Sequence, residues 1–81
     1  MKVFTIIKDN KIERATEVDL VIFLKNNGVS HTYRTERWGK VELEVLEKDK
    51  DIVLDLIASG KRIVNRGSSN MVTFRLDHRN L

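Results

Sequence analysis

The fold of this chain is decided by residues 19–45, which read DLVIFLKNNGVSHTYRTERWGKVELEV. In the first part of this stretch apolar residues recur at helical spacing, and Gly28 follows them where a left-handed residue commonly ends a helix. Just upstream, Thr16 has the hydroxyl of an N-cap, and Asp19 stands three residues further on, as in a capping box. The pattern predicts a helix over residues 17–27.

The second part of the stretch predicts a β-hairpin. Residues 29–37 are expected to form its first strand, Trp38-Gly39 its turn and residues 40–46 its second strand. In the second strand Val41, Leu43 and Val45 alternate with Lys40, Glu42 and Glu44. Because successive side chains of a strand point to opposite faces, this alternation indicates one buried face and one solvated face.

On the N-terminal side, a further strand pair is predicted. Residues 2–7, KVFTII, are β-branched and aromatic, and Asp9-Asn10 is a turn signal. Residues 11–15 are therefore expected to return as a short second strand.

On the C-terminal side, the helix-and-hairpin pattern occurs again. A second helix is predicted to begin at the N-cap Asp49 and to be closed by Gly60. A second hairpin follows, with strands at residues 61–65 and 71–77 around a turn at residues 67–70.

The two helix–hairpin units align with each other along the sequence. Asp19 aligns with Asp51, Gly28 with Gly60 and Arg34 with Arg66, and after a one-residue deletion Val41, Leu43 and Val45 align with Val72, Phe74 and Leu76. The match has two explanations, an αββ duplication or the chance recurrence of amphipathic periods and glycine caps. Both predict the same α+β architecture, β(β)αββαββ: a mostly antiparallel sheet of five to six strands with two helices on one face.

The length and composition of the chain limit the classes of protein to which it can belong. The chain has 81 residues, 41% of them hydrophobic and 33% charged, so residues 1–81 are expected to fold as one small domain. It has no cysteine, which excludes disulfides and thiolate metal sites. The apolar run from Val3 to Ile7 is too short for a signal peptide, and no run approaches the roughly 20 residues that span a bilayer. We expect a cytoplasmic protein with no membrane partner.

The positive charge is concentrated in the predicted hairpins. Residues 29–40 carry a net charge of +2 and residues 60–81 carry +4, whereas the whole chain carries +3. Arginine on an extended hairpin can bind phosphate oxygens bidentately, and aromatic rings can stack on unpaired bases. The predicted nucleic-acid-binding residues are Tyr33, Arg34, Arg37, Trp38, Lys40, Lys61, Arg62, Arg66 and Arg75.

The same residues also have purely structural explanations. Cations on an exposed edge strand discourage its pairing with another chain. In this chain they could also pair across strands with the acidic residues of segment 42–47. Trp38 could cover the edge of the core instead of binding a base.

Residues 23–48, FLKNNGVSHTYRTERWGKVELEVLEK, resemble part of the double-wing DNA-binding domain of phage middle-promoter transcription activators. In that family too, a helix ends near a glycine, a basic hairpin leads into an alternating V-x-L strand, and the unit occurs twice. The resemblance covers roughly 30 residues per unit, and the units here have fewer predicted strands. It implies a similar fold and DNA binding, and it assigns no residue beyond the basic positions already named.

No pattern of catalytic or metal-binding residues is found. His31 and His78 are far apart and have no cysteine companion, whereas a zinc site needs three or four ligands. Asp49, Asp51 and Asp55 lack the glycine and distal glutamate of an EF-hand. A P-loop and a dinucleotide fingerprint are also missing. We therefore expect no enzymatic activity, no cofactor and no metal.

Two functions remain. The first is a small regulator that binds DNA or RNA through the two basic hairpins. The second is a protein-interaction module, such as a phage-encoded adaptor or inhibitor of a larger enzyme, which would use the acidic face around Glu42, Glu44, Asp51 and Asp55 or an exposed strand edge. A homodimer is a further expectation, because so small a core gains from additional burial.

Overall fold

The chain is an α+β protein, as predicted. A computed structural model describes residues 1–35, 39–60, 62–64 and 70–80, with the backbone alone for residues 32, 34, 35 and 62. Its elements are β1 (Lys2–Lys8), β2 (Lys11–Thr16), α1 (Glu17–Asn26), β3 (His31–Thr35), β4 (Val41–Leu46), a 3-10 turn (Glu47–Asp49), α2 (Lys50–Leu56), β5 (Arg62–Val64), β6 (Met71–Leu76) and β7 (Arg79–Asn80). Neither helix in these ranges has the length and apolarity that crossing a membrane requires.

Strands β1 and β2 form the predicted N-terminal hairpin. Its closing pair is Lys8 with Lys11, which leaves a turn of two residues. Both of them, Asp9 and Asn10, have positive φ angles, of 50° and 64°. Such angles are typical of a type I′ turn, and aspartate and asparagine adopt them more readily than most residues.

Helix α1 is capped at both ends by its own sequence. The Thr16 hydroxyl oxygen accepts a hydrogen bond from the Asp19 N–H at 3.3 Å. At the other end Gly28 has a φ angle of 74°, and the Val29 N–H donates to the Leu24 carbonyl at 3.0 Å, as in a Schellman motif. The predicted helix is therefore confirmed, and its last residue is Asn26, one residue before the predicted end.

The two later hairpins together form a four-stranded antiparallel sheet in the order β3-β4-β6-β5. Each hairpin supplies one outer and one inner strand. The inner strands, β4 and β6, pair through the same two sets of apolar residues that the repeat aligns, but in antiparallel order. The pairs are Val41 with Leu76, Leu43 with Phe74 and Val45 with Val72. The tip of the first hairpin, including Trp38, and most of the second turn lie outside the described residues.

The strands form two sheets instead of the single sheet predicted. Strand β1 lies in the middle of a three-stranded sheet, in the order β2-β1-β7. It cannot extend the four-stranded sheet because its second edge is occupied: β7 pairs with Lys2 and Val3, and Ile57 forms a bridge with Ile6.

One core joins both sheets and both helices, and each helix contacts β1. The buried apolar residues are Phe4, Ile6, Ala15, Leu20, Leu24, Val29, Val41, Leu43, Val45, Val53, Ile57, Phe74 and Leu76.

Helix α2 ends earlier than predicted. Its last residue is Leu56, and Ile57 is extended, with a ψ angle of 123°. The reason is tertiary: Ile57 bridges to β1, and the next N–H, of Ala58, donates to the Thr5 carbonyl at 2.9 Å. Gly60 therefore lies in the connection to β5 and does not close the helix.

Asp49 occupies the predicted N-cap position of α2 but makes no side-chain capping hydrogen bond. Its carboxylate is buried and accepts the Ser30 N–H at 3.4 Å instead. This contact fixes the start of α2 against the connection between α1 and β3.

Alanine should be tolerated less well at Gly60 than at Gly28. Both glycines have positive φ, which costs a residue with a Cβ about 1–2 kcal/mol. A Cβ on Gly60 would also lie 2.5 Å from Cγ of Asp77, whereas one on Gly28 meets nothing within 4 Å. Urea denaturation should show the larger loss of stability for Gly60→Ala, and adding Asp77→Ala should restore part of the difference. Equal losses in the two single variants would contradict this explanation.

Candidate nucleic-acid interface

Three of the predicted arginines lie in one row across the four-stranded sheet. Arg34 of β3 pairs with Glu42 of β4, and Glu42 pairs on its other side with Arg75 of β6. Arg75 in turn pairs with Arg62 of β5. Since directly paired residues share a face of the sheet, these positions form a continuous line, one on each strand. We call Arg34, Glu42, Arg75 and Arg62 the arginine row.

The glutamate in the middle of the row is fully buried. Glu42 is 0% exposed, although the alternation of β4 predicted it on a solvated face. Strand β4 has a neighbouring strand on each side, and Arg75 Nη2 lies 3.5 Å from Glu42 Oε2. A buried carboxylate loses its hydration, and a paired cation offsets that cost. The arginine row therefore contains one buried negative charge, at Glu42, between the positions of Arg34 and Arg75.

The row as a whole has an excess of positive charge, since it contains three arginines and one glutamate. Arg75 keeps 25% of its side chain exposed while it pairs with Glu42. A guanidinium that is already held in place loses less conformational freedom when it binds an anion.

Two buried polar atoms on the same strand, Arg75 Nε and Thr73 Oγ1, have no hydrogen-bond partner among the described residues. Both atoms are buried, so a ligand does not reach them. The features of this face that suit an anionic ligand are its excess positive charge and the exposed quarter of the Arg75 side chain.

Two further predicted contact residues are placed by the structure. Lys40 is exposed at the entry to β4. Tyr33 is half-buried: its hydroxyl donates to Glu17 Oε2 at 2.9 Å, and its ring meets Phe4 edge-on with centroids 6.2 Å apart. Stacking on a base would require the Tyr33 ring to leave Phe4. The remaining predicted residues, Arg37, Trp38, Lys61 and Arg66, lie outside the described residues.

A second basic pair, absent from the predicted set, lies on the three-stranded sheet. Arg14 of β2 is opposite Thr5, and Arg79 of β7 is opposite Val3. Both arginines line an open groove of about 530 Å³, together with Val3, Thr5, Ile12, Glu13, Ser59, Asp77 and His78. No local sequence signal could have found this pair, because it forms only when the N-terminal and C-terminal strands meet on β1.

The two histidines are engaged in the fold. His31 Nδ1 lies 3.0 Å from the Val29 carbonyl oxygen. The His78 ring packs against Phe4, with centroids 5.9 Å apart. Within the described ranges, the acidic and histidine side chains form no group of three that could hold a metal ion.

No protein-family model, no curated protein and no solved structure matches this chain.

Removing the charge of Glu42 should cost more stability than removing that of its neighbour Glu44. Glu42→Gln keeps the shape of the side chain but removes the counter-charge of Arg75. We expect a loss of about 3 kcal/mol, at the low end for a buried ion pair because a quarter of the Arg75 side chain is exposed. Glu44 is only half-buried, and Glu44→Gln should cost less than about 1 kcal/mol.

Urea denaturation of both variants, with Arg75→Ala in each background, measures this difference. The Glu42 and Arg75 changes should be non-additive, because each removes the same ion pair. Additive losses, or equal losses for the two glutamine variants, would contradict the assigned pairing.

Proposed function

We propose that this protein is a small cytoplasmic regulator that binds DNA or RNA, with the arginine row and the basic hairpins as its contact surface. The observation that carries the proposal is the pairing of Arg34, Arg75 and Arg62 across neighbouring strands around the buried Glu42. Arginine is the residue best suited to bidentate binding of phosphate.

The dimensions of the row fit a duplex. Arg34 and Arg62 are separated by three strand spacings of about 4.8 Å, so they lie roughly 14 Å apart along the sheet. The major groove of B-form DNA is about 12 Å wide. The spacing of the two end positions of the row is therefore close to the width of a groove.

Removing the two ends of the row should weaken nucleic-acid binding and reduce its salt dependence. Each phosphate contact contributes about 0.9 to the slope of log affinity against log salt on duplex DNA. We therefore expect Arg34→Ala/Arg62→Ala to reduce the slope by about 1–2, measured by fluorescence anisotropy at several salt concentrations.

The control is Lys25→Ala/Lys48→Ala, which removes the same charge from exposed positions outside the row. It should leave the slope nearly unchanged. The row is not the contact surface if the two double variants behave alike.

A second function, a protein-interaction module, is favoured by a different observation. Val18 and Ile22 stand one turn apart on α1 and are 67% and 50% exposed. Asp51 and Asp55 of the predicted acidic face are also exposed, whereas Glu42 is buried. On this alternative the chain is an adaptor or inhibitor of a larger enzyme, of the kind that phages encode.

Affinity purification from cells distinguishes the two functions. An interaction module should retain one stoichiometric protein partner after nuclease treatment, and Val18→Ser/Ile22→Ser should remove it while Arg34→Ala/Arg62→Ala should not. Partners that disappear with nuclease, or with the arginine substitutions alone, favour the nucleic-acid function.

A further inference from the structure

Strand β2 presents an exposed edge. It pairs with β1 on one side, and no other strand among the described residues pairs with its second side. Its residues Lys11 to Arg14 are all exposed, and Ile12 leaves 73% of its surface in solvent. An apolar side chain of this size, set between charged neighbours on a free edge, is suited to cross-strand packing against an added strand.

The turn determines which backbone N–H and C=O groups of β2 point towards β1 and which point towards the open edge. A hairpin with a two-residue turn closes on a hydrogen-bonded pair, here Lys8 with Lys11, and such pairs alternate along the ladder. The next hydrogen-bonded pair is therefore Ile6 with Glu13. The N–H and C=O groups of Ile12 must then point away from β1, towards the open edge.

The charges of the strand select one way for two copies to pair. Two identical strands related by a two-fold axis pair antiparallel, with one residue facing its own copy at the axis. With Lys11, Glu13 or Arg14 at the axis, each residue faces its own copy and two like charges meet. With Ile12 at the axis, Ile12 meets Ile12, and Lys11 meets the partner's Glu13 on both sides of the axis.

We infer that the β2 edges of two copies of this chain pair antiparallel about a two-fold axis at Ile12. This register satisfies three independent features of the edge. The outward backbone groups of Ile12 form the central hydrogen-bonded pair, the exposed Ile12 side chains pack on each other, and both lysine–glutamate pairs are of opposite charge. The inference is independent of the proposed nucleic-acid function.

The proposed contact between two β2 strands involves few residues, so the dimer needs a method that detects weak association. A few residues on each side are far fewer than the roughly 20–30 of a standard interface, so the association is expected to be weak. A covalent trap at the axis suits such a dimer. In a hydrogen-bonded antiparallel pair the Cα atoms lie about 5.5 Å apart, within the range of a disulfide.

The test uses the absence of cysteine from the chain. Ile12→Cys should form an intermolecular disulfide at least about tenfold faster than Ile52→Cys, a matched control at an isoleucine that is 40% exposed on α2. Rates are normalised to the reaction of each thiol with a small disulfide, which removes differences in intrinsic reactivity.

Charge reversal then tests the register. In the Ile12→Cys background, Lys11→Glu should slow disulfide formation, because it places two carboxylates opposite each other. Adding Glu13→Lys should restore the rate. Lys11 faces Lys8 within its own hairpin, so the reversal does not weaken the fold. Equal rates for Ile12→Cys and Ile52→Cys, or no rescue by Glu13→Lys, would overturn the inference. The charges of β2 would then serve to prevent edge-to-edge contact.

Discussion

The arrangement of the two sheets depends on the hydrogen bonds around Ser59. Its buried hydroxyl donates to the Thr5 carbonyl at 3.1 Å and accepts the Thr5 N–H, while its own carbonyl accepts the Asp77 N–H at 3.2 Å. One residue thus joins the middle of β1 to the connection between β6 and β7. A buried backbone group without a partner costs stability, so these contacts hold the three segments together. They also close the second edge of β1, which is why the chain forms two sheets.

With β1 occupied, the two basic hairpins can pair only with each other, through β4 and β6. That pairing brings Glu42 opposite Arg75 and creates the arginine row. Burying the Glu42 carboxylate costs free energy unless Arg75 remains paired with it. Because a shift of the strands would break this pair, it makes the register of the sheet specific. The proposed contact surface is therefore a consequence of the same pairing that builds the core.

Local sequence signals predicted the local structure well. The turn at Asp9 and Asn10, the cap at Thr16 and the glycine at Gly28 each depend on contacts within a few residues, and each is found where expected. The class of the fold and both later hairpins followed from the same kind of pattern.

The features that were missed depend on contacts between distant segments. The alternation of β4 predicts a solvated Glu42, and the prediction is wrong. The carboxylate is buried against Arg75, which is 33 residues away in the sequence. Similarly, Ile57 continues the apolar stripe of α2 in sequence but is drawn into an extended conformation by Ile6. The arginines of the candidate site can be read from the sequence, whereas their alignment with one carboxylate could be known only from the sheet register.

The most direct test of the proposed function is a titration of the unmodified protein into labelled duplex DNA, single-stranded DNA and RNA, followed by fluorescence anisotropy at several salt concentrations. We expect binding at micromolar concentration or tighter, with an affinity that falls steeply as salt increases. No binding to any of the three at about 50 mM salt would contradict the proposed function.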